Sequence, residues 1–329
     1  MSTVTAIVVV HRLDPSATRA ALRSLADSTD VELTIAVVHN GDIADWPVLQ
    51  EWCAEVGATA VHSPTNGGFG AAVNIALSAV PADHAVFLMN DDAWVDTTTI
   101  SECVRALAAA DARCISVAPV VVHADAPDRV DSMGVVIRPS GEGFNAFQGR
   151  RRDEVPSAPL HILGPCFSAA LFRPGAFTDT MVGPVAEHYF LYYEDVEWNI
   201  RAQHRGYHSL SAPGSTAHHH HALSTRTIGE DSRYEMVQRN LLLMSTSMFS
   251  WRAVCGIWFG RGVVLVKGLI TGPHRGARLR SFGQALRQLP SAIRRRELRG
   301  SHPVDDDVLF AFSVGHSPAI DTTDFRLTD

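Results

Sequence analysis

The sequence predicts an α/β protein organised around a doubly wound, mostly parallel sheet. Apolar runs at 5–10, 33–38, 85–89 and 115–122 alternate with stretches at 15–27, 69–80 and 98–110 that carry Ala and Leu at helical spacing. Strand–helix alternation at this pitch is the pattern of parallel crossover units. The run 86–92, Val-Phe-Leu-Met-Asn-Asp-Asp, ends on two adjacent carboxylates. A buried strand does not keep paired charges inside without partners, so this end is expected to open into a cleft. His11 and Asn40 stand at two further strand ends, and such a sheet takes its ligand beyond the carboxyl ends of its strands.

Composition narrows the class. The 329 residues are ample for a buried core, and 46% hydrophobic with 19% charged residues excludes a disordered chain. Cys53, Cys103, Cys114, Cys166 and Cys255 are odd in number and scattered, which favours reduced thiols in a cytosolic compartment over a disulfide framework. The N-terminus runs into a strand-like segment at Thr5 and lacks the basic start and cleavage site of a signal peptide. The net charge of −7 conceals a division. Residues 252–300 set eleven Lys/Arg against Glu297 (+10), residues 301–329 set six Asp against one Arg (−5), and 1–251 carry −12. A basic segment on an acidic body points to an anionic partner.

Beyond residue 119 the alternation breaks. Pro, Gly and Asp clusters up to about 165 predict loops and short, partly antiparallel strands such as 134–137 that cover the crevice. A helix is expected over 190–206, stopping at Gly206, and another over 233–250. No internal repeat is present, and the one low-complexity feature is the four-His run at 218–221.

Four segments carry candidate chemistry. Asp91 and Asp92 are oxygen ligands of the kind that hold Mg²⁺ or Mn²⁺, and such ions often bring a phosphate. The run 66–74, Asn-Gly-Gly-Phe-Gly-Ala-Ala-Val-Asn, is a Gly-rich turn into a helix whose N-terminus favours an anion. It lacks dinucleotide-binding and P-loop spacing. Glu194, Asp195 and Glu197 crowd three acids into four residues, with Glu194 and Glu197 expected on one helical face. Repulsion among them beside aromatic neighbours raises a pKa towards that of a general base, while the plain alternative is a helix start with Arg201 paired to Glu197. In the His run, alternation along an extended chain lets one or two imidazoles at most face an ion begun by Asp92.

In this order the segments resemble the family 2 glycosyltransferases, and especially their rhamnosyltransferase-like branch. The shared pattern runs through Val10-His11-Arg12, Val38-His39-Asn40-Gly41, Asn66-x-Gly68-Phe69-Gly70-x-x-x-Asn74 and Asn90-Asp91-Asp92. It continues through Glu194-Asp195-x-Glu197 with Arg201 and Gly206, a His, and Arg239-Asn240, so that it spans about residues 4–250. The resemblance implies a GT-A fold and an inverting transfer from a nucleotide-diphosphate sugar. It implies that His11, Arg12, His39, Asn40, Asn66, Gly68, Phe69, Gly70, Asn74, Asn90 and Asp91 bind that donor, with Asp91 at the ribose. Asp92 and His219 would hold Mg²⁺ or Mn²⁺ at the diphosphate. Asp195 would deprotonate the acceptor hydroxyl, with Glu194 and Glu197 orienting acceptor or base. Two departures stand out: His39 replaces an Asp that touches the nucleobase, and 182–186 (Val-Gly-Pro-Val-Ala) replaces the usual Gly-Gly-Phe-Asp.

The C-terminal third completes the expectation. Residues 251–272 are long enough for a membrane span, but Arg252, Arg261 and Lys267 interrupt them. Interfacial binding suits them better, with Trp251, Trp258 and Phe259 as anchors and the arginines of 252–300 meeting anionic lipid. Three units are expected: a catalytic domain at 1–225 with a donor half to about 120, a helical basic extension at 226–300 and an acidic tail at 301–329. The leading reading is a cytoplasmic, membrane-peripheral enzyme moving rhamnose from dTDP-rhamnose to a polyprenyl-linked or polysaccharide acceptor. A UDP-sugar donor such as UDP-galactofuranose, a sugar-1-phosphate nucleotidyltransferase, and a non-catalytic membrane-associated binding protein are the alternatives. No nucleic-acid partner is expected, because the basic segment carries no known binding module. A homo-oligomer stays open.

Overall fold

The computed structural model describes residues 3–220 and 228–314. In chain order these form β1 (Thr3–Val10), α1 (Pro15–Ala26), β2 (Glu32–His39), α2 (Trp46–Glu55), β3 (Thr59–His62), α3 (Phe69–Leu77) and β4 (Ala85–Asn90). Then come β5 (Ala93–Val95), α4 (Thr99–Ala109), β6 (Cys114–His123), β7 (Ala126–Ser132), β8 (Val135–Ile137), β9 (Gly143–Asn145), β10 (His161–Ile162) and β11 (Ala169–Phe172). The remainder is α5 (Glu194–His204), β12 (His208–His219), α6 (Glu230–Met248), α7 (Trp251–Thr271), α8 (Arg275–Arg294) and α9 (Asp306–Ala311).

The main sheet runs β3-β2-β1-β4-β11-β6-β12-β10. β1, β2, β3 and β4 pair in parallel, as do β6 and β12, whereas β11 is antiparallel to both its neighbours. β11 follows the irregular stretch without a crossover helix, and a parallel strand at that place needs one. Leu22, Leu49 and Ile100 from α1, α2 and α4 cover one face, and Val73 of α3 and Trp198 of α5 cover the other. Asp14 caps α1 by accepting from Ser16 N and Ala17 N at 2.9 and 2.8 Å, ahead of a proline that needs no amide partner. α2 and β3 escape periodicity. α2 is short, and β3 is a four-residue edge strand whose outer face meets solvent.

Two expectations change here. The 190–206 helix begins only at Glu194, because Phe190, Tyr192 and Tyr193 occupy φ of +68°, +71° and +74°. The proposed units also share a core. Val135, Ile137, Tyr193, Val196 and Ile200 pack with Leu241 and Met244 of α6, Ile257 of α7, Ala285 of α8 and Leu309 of α9. The acidic tail is therefore anchored at its start, where Asp306 accepts from Ser250 N at 3.1 Å.

Glu197 of α5, expected to orient acceptor or base, is turned inward in this arrangement. It is 1% exposed, and Arg201 donates to it at 3.0 Å. Arg201 also donates to Val182 O at 3.0 Å and Pro184 O at 2.8 Å, which ties the helix to the loop beneath it. Arg201→Met should lower unfolding free energy by about 3–5 kcal/mol, because it strands a buried carboxylate. Urea melts with an unchanged m-value check this, and a loss below 1 kcal/mol would refute the assignment.

Candidate active site

A cavity of about 570 Å³ lies beyond the carboxyl ends of β1, β2 and β4. Its first wall is the Gly-rich turn. Asn40 Nδ2 donates to Asn66 Oδ1 at 3.0 Å and to Gly68 O at 3.1 Å, and Gly68 N donates to Asn66 Oδ1 at 3.0 Å. His11 Nδ1 lies 2.8 Å from Asn40 O. Gly68 has φ +87°, and a Cβ there would come within 2.2 Å of Phe190 O, so only glycine lets the turn close on the opposite wall. His11, Asn40, Asn66, Gly68, Phe69, Asn90, Asp91 and Asp92 all line the cavity.

Four expected donor-binding residues do not line it. Arg12 points to solvent. His39 is fully buried behind Asn40, with Nδ1 2.9 Å from His62 Nδ1 and its ring stacked on Trp46. Burial and the neighbouring His62 lower its pKa, so it stays neutral. Gly70 makes room for Val185 and Ala186, within 3.1 Å of a would-be Cβ. Asn74 donates to Val185 O and Glu187 Oε1, both at 2.9 Å, and accepts from Val185 N at 3.0 Å. The last three residues hold the wall in shape.

The far end of the cavity is made by strand pairing. β5 lies antiparallel to β12 with Ala93 opposite His219, and His220 N donates to Asp92 O at 3.0 Å. Asp92 Oδ1 thereby comes to 3.2 Å from His219 Nε2. On the other side of the ring, His219 Nδ1 lies 2.8 Å from Asp131 Oδ2, a carboxylate with no solvent exposure. Burial alone would lower the pKa of His219, but hydrogen bonds and charge from Asp131 and Asp92 raise it to about 10. The neighbouring imidazoles face elsewhere: His218 stacks on Trp94 at 5.0 Å, and His220 packs on the same ring. His221 lies outside the described residues. Asp131 went unnoticed in the sequence, since a single Asp in an irregular stretch has no local signal.

The carboxylate–imidazole pair suits a divalent cation. Among the described residues no three His, Cys, Asp or Glu side chains converge as a closed cage. Two protein donors leave further positions for oxygen ligands such as water, which is how Mg²⁺ and Mn²⁺ are commonly held. Asp131 stands where an outer carboxylate would fix the tautomer and direction of His219.

Across the cavity stand Glu194 and Asp195, both on its lining, where helical spacing leads one to expect Glu194 with Glu197 instead. Tyr193 at φ +74° turns the chain just before the helix, so ideal helical spacing does not apply there. Burial, then the charge of Asp195, raises Glu194 to about 8. Burial raises Asp195 to about 6, against hydrogen bonds from the amides of Val196, Asp195 and Phe167. Asp91, 7% exposed, is raised well above the usual carboxylate range by burial and by Asp92. The left-handed run ahead of α5 is clamped from behind. Asn240 Nδ2 donates to Tyr189 O, Leu191 O and Tyr192 O at 3.1, 2.8 and 2.9 Å, and Arg239 donates to Tyr189 O at 2.9 Å. Arg233 and Val237 of the same helix reach the cavity lining.

The profile described as Glycosyl transferase family 2 matches residues 5–179, just over half of the chain. No curated protein matches the sequence. The fold is similar to that of GalNAc-T7, solved with UDP, GalNAc and Mn²⁺, at a TM-score of 0.64 and 11% identity over 92% of this chain. This chain covers 58% of that one, so it spans little more than half its length. S. aureus TarS 1-349 is similar at a TM-score of 0.52 and 13% identity, over 90% of this chain and 85% of that one. Its complex with UDP gives 0.52 and 12%, over 95% and 87%. At these identities the likeness concerns the fold, an α/β architecture of the GT-A type with a C-terminal helical extension. With the strand-end carboxylates and Gly-rich turn inside the matched segment, the chain belongs to glycosyltransferase family 2 and is a glycosyltransferase.

Proposed function

We propose that this enzyme is an inverting transferase that moves a sugar from a nucleoside diphosphate to an acceptor hydroxyl, with a divalent cation at Asp92 and His219. The observation that carries the reading is one cavity with a cation-type donor pair at one end and a raised carboxylate pair at the other. His11, Asn40, Asn66 and Asp91 hold nucleoside and ribose, and the backbone of the Gly-rich turn approaches the donor closely. The cation, bound at Asp92 and His219, supplies charge stabilisation for the departing diphosphate. Asp195 takes the proton of the attacking hydroxyl. At neutral pH Asp195 is largely ionised while Glu194 keeps its proton, so the pair divides into a base and a hydrogen-bond donor to the acceptor.

The leading donor is dTDP-rhamnose, supported by the motif pattern of the rhamnosyltransferase-like branch. UDP in the GalNAc-T7 and TarS structures favours a UDP-sugar as the second reading. A glycan or polyprenyl-linked glycan is the proposed acceptor, received by the aromatic side of the cavity at Phe144, Tyr192 and Tyr193. Thermal shift and turnover against dTDP-, UDP- and GDP-sugars decide between the donors. Stabilisation by none of them would remove both readings.

Three outcomes are expected. Asp195→Asn should abolish transfer while donor affinity stays within about twofold, because removing the base touches the chemical step alone. Full activity would exclude Asp195. In the wild type at saturating Mn²⁺, kcat/KM should rise with pH through an apparent pKa near 6, as Asp195 ionises, and fall again near 8, as Glu194 loses the proton it donates. A profile flat between pH 5 and 8 would contradict it. Mn²⁺ affinity, read by calorimetry without substrate, should fall about 10–100-fold in Asp131→Asn, through loss of the outer partner of His219. Binding should also release a proton below about pH 10, so wild-type affinity strengthens as pH rises. Identical affinities for wild type and Asp131→Asn would sever Asp131 from the site.

A further inference from the structure

The C-terminal helices present a surface that catalysis does not use. α7 is, among the described residues, the one helix long and apolar enough by length and composition to cross a membrane. Only Val254, Ile257 and Gly268 of it are buried. Phe259, Val263, Val266 and Ile270 recur at four, three and four residues, which puts them on one helical face, and they are 52–76% exposed. α8 repeats the pattern with Leu279, Leu286 and Ile293 at seven-residue spacing and 41–54% exposure. The stripes are neighbours, because Phe282, on the flank of Leu279 and Leu286, packs edge-on against Trp258 of α7 at 5.3 Å.

Charge accompanies this apolar surface in register. Arg287 and Arg294 each follow one residue after Leu286 and Ile293, which sets a basic row beside the apolar one, while Arg280, at the same place after Leu279, is paired with Glu235 at 2.7 Å. Arg252, Lys267, Arg275, Arg287 and Arg294 meet no carboxylate among the described residues. Pairing two copies through this face would set these cations against one another. Crossing a bilayer is opposed by Arg261, which turns inward to Glu142 at 2.9 Å and would have to leave that partner. Trp258 is not the expected anchor either: it is half-buried, and its Nε1 donates to Thr246 Oγ1 at 2.9 Å.

We propose that the joined outer faces of α7 and α8 dock on the headgroup boundary of an anionic bilayer. The aliphatic stripes enter the acyl edge and the arginine row meets lipid phosphates. α6 carries α8 through Tyr234–Arg278 and Glu235–Arg280 at 2.9 and 2.7 Å, and the same helix reaches the cavity with Arg233 and Val237. Docking thus holds the cavity at a fixed attitude to the membrane surface.

The test is co-sedimentation of the full chain with vesicles of phosphatidylcholine alone, or with phosphatidylglycerol as about one lipid in three. Neither donor nor metal is added, so a negative result leaves the transferase reading standing. Wild type should pellet with anionic vesicles, not neutral ones, and be released by high salt. The triple variant Phe259→Ser, Val263→Ser, Val266→Ser should lower partitioning at least about tenfold, since it removes three inserted groups. Arg287→Gln with Arg294→Gln should lower it about tenfold on anionic vesicles. All five positions are exposed, and circular dichroism verifies folding. No pelleting, equal pelleting with neutral vesicles, or unchanged partitioning of both variants overturns the proposal. So does a concentration-dependent dimer in sedimentation equilibrium that the triple variant dissolves, which would assign the face to a second copy.

Discussion

A single imidazole held between two buried carboxylates sets the geometry of this enzyme. His219 sits between Asp92 at 3.2 Å and Asp131 at 2.8 Å, and the three residues come from three different segments. Two carboxylates cannot both stay ionised in a dry site without a compensating cation. A proton on His219 supplies one charge, and a divalent ion in its place supplies two. The antiparallel pairing of β5 with the end of β12 makes this contact possible. A one-residue slip would present His218 or His220, which face Trp94 instead.

The opposite wall depends on backbone that no isolated helix would adopt. Three residues with side chains hold positive φ just before α5, at a cost of order 1 kcal/mol each. Asn240 and Arg239 offset that cost by donating to the carbonyls of the same turn. The reward is directional, because the turn brings Glu194 and Asp195 together onto the cavity. Glu197, one helical turn on, is left to bind Arg201 and steady the loop at 182–184. α6 therefore belongs to the site although the family profile ends at 179.

The basic extension follows the same division between inward and outward faces. Its inner face shares a core with the strands and helix that shape the cavity. Its outer face keeps apolar and cationic rows that the protein body leaves uncovered. Arg261 on the inner face and Phe259 on the outer mark the two sides of α7, one tied to the protein body and the other open.

The sequence by itself determined the alternating sheet, the Gly-rich turn and the strand end at Asp91-Asp92. In each, period and residue type act locally: apolar runs must be buried, glycine alone tolerates the turn, and charges must leave the core. It also narrowed the His run to one or two members, because alternation is a local property of strands. Only tertiary structure showed how His219, singled out by the family resemblance, comes to face Asp92, that Asp131 stands behind it, and that His39, Gly70 and Asn74 support the wall without lining it. Those assignments depend on register and on contacts between residues 88, 111 and 127 apart in the chain, the last being 219 − 92. No local pattern encodes such distances; they arise when the sheet closes.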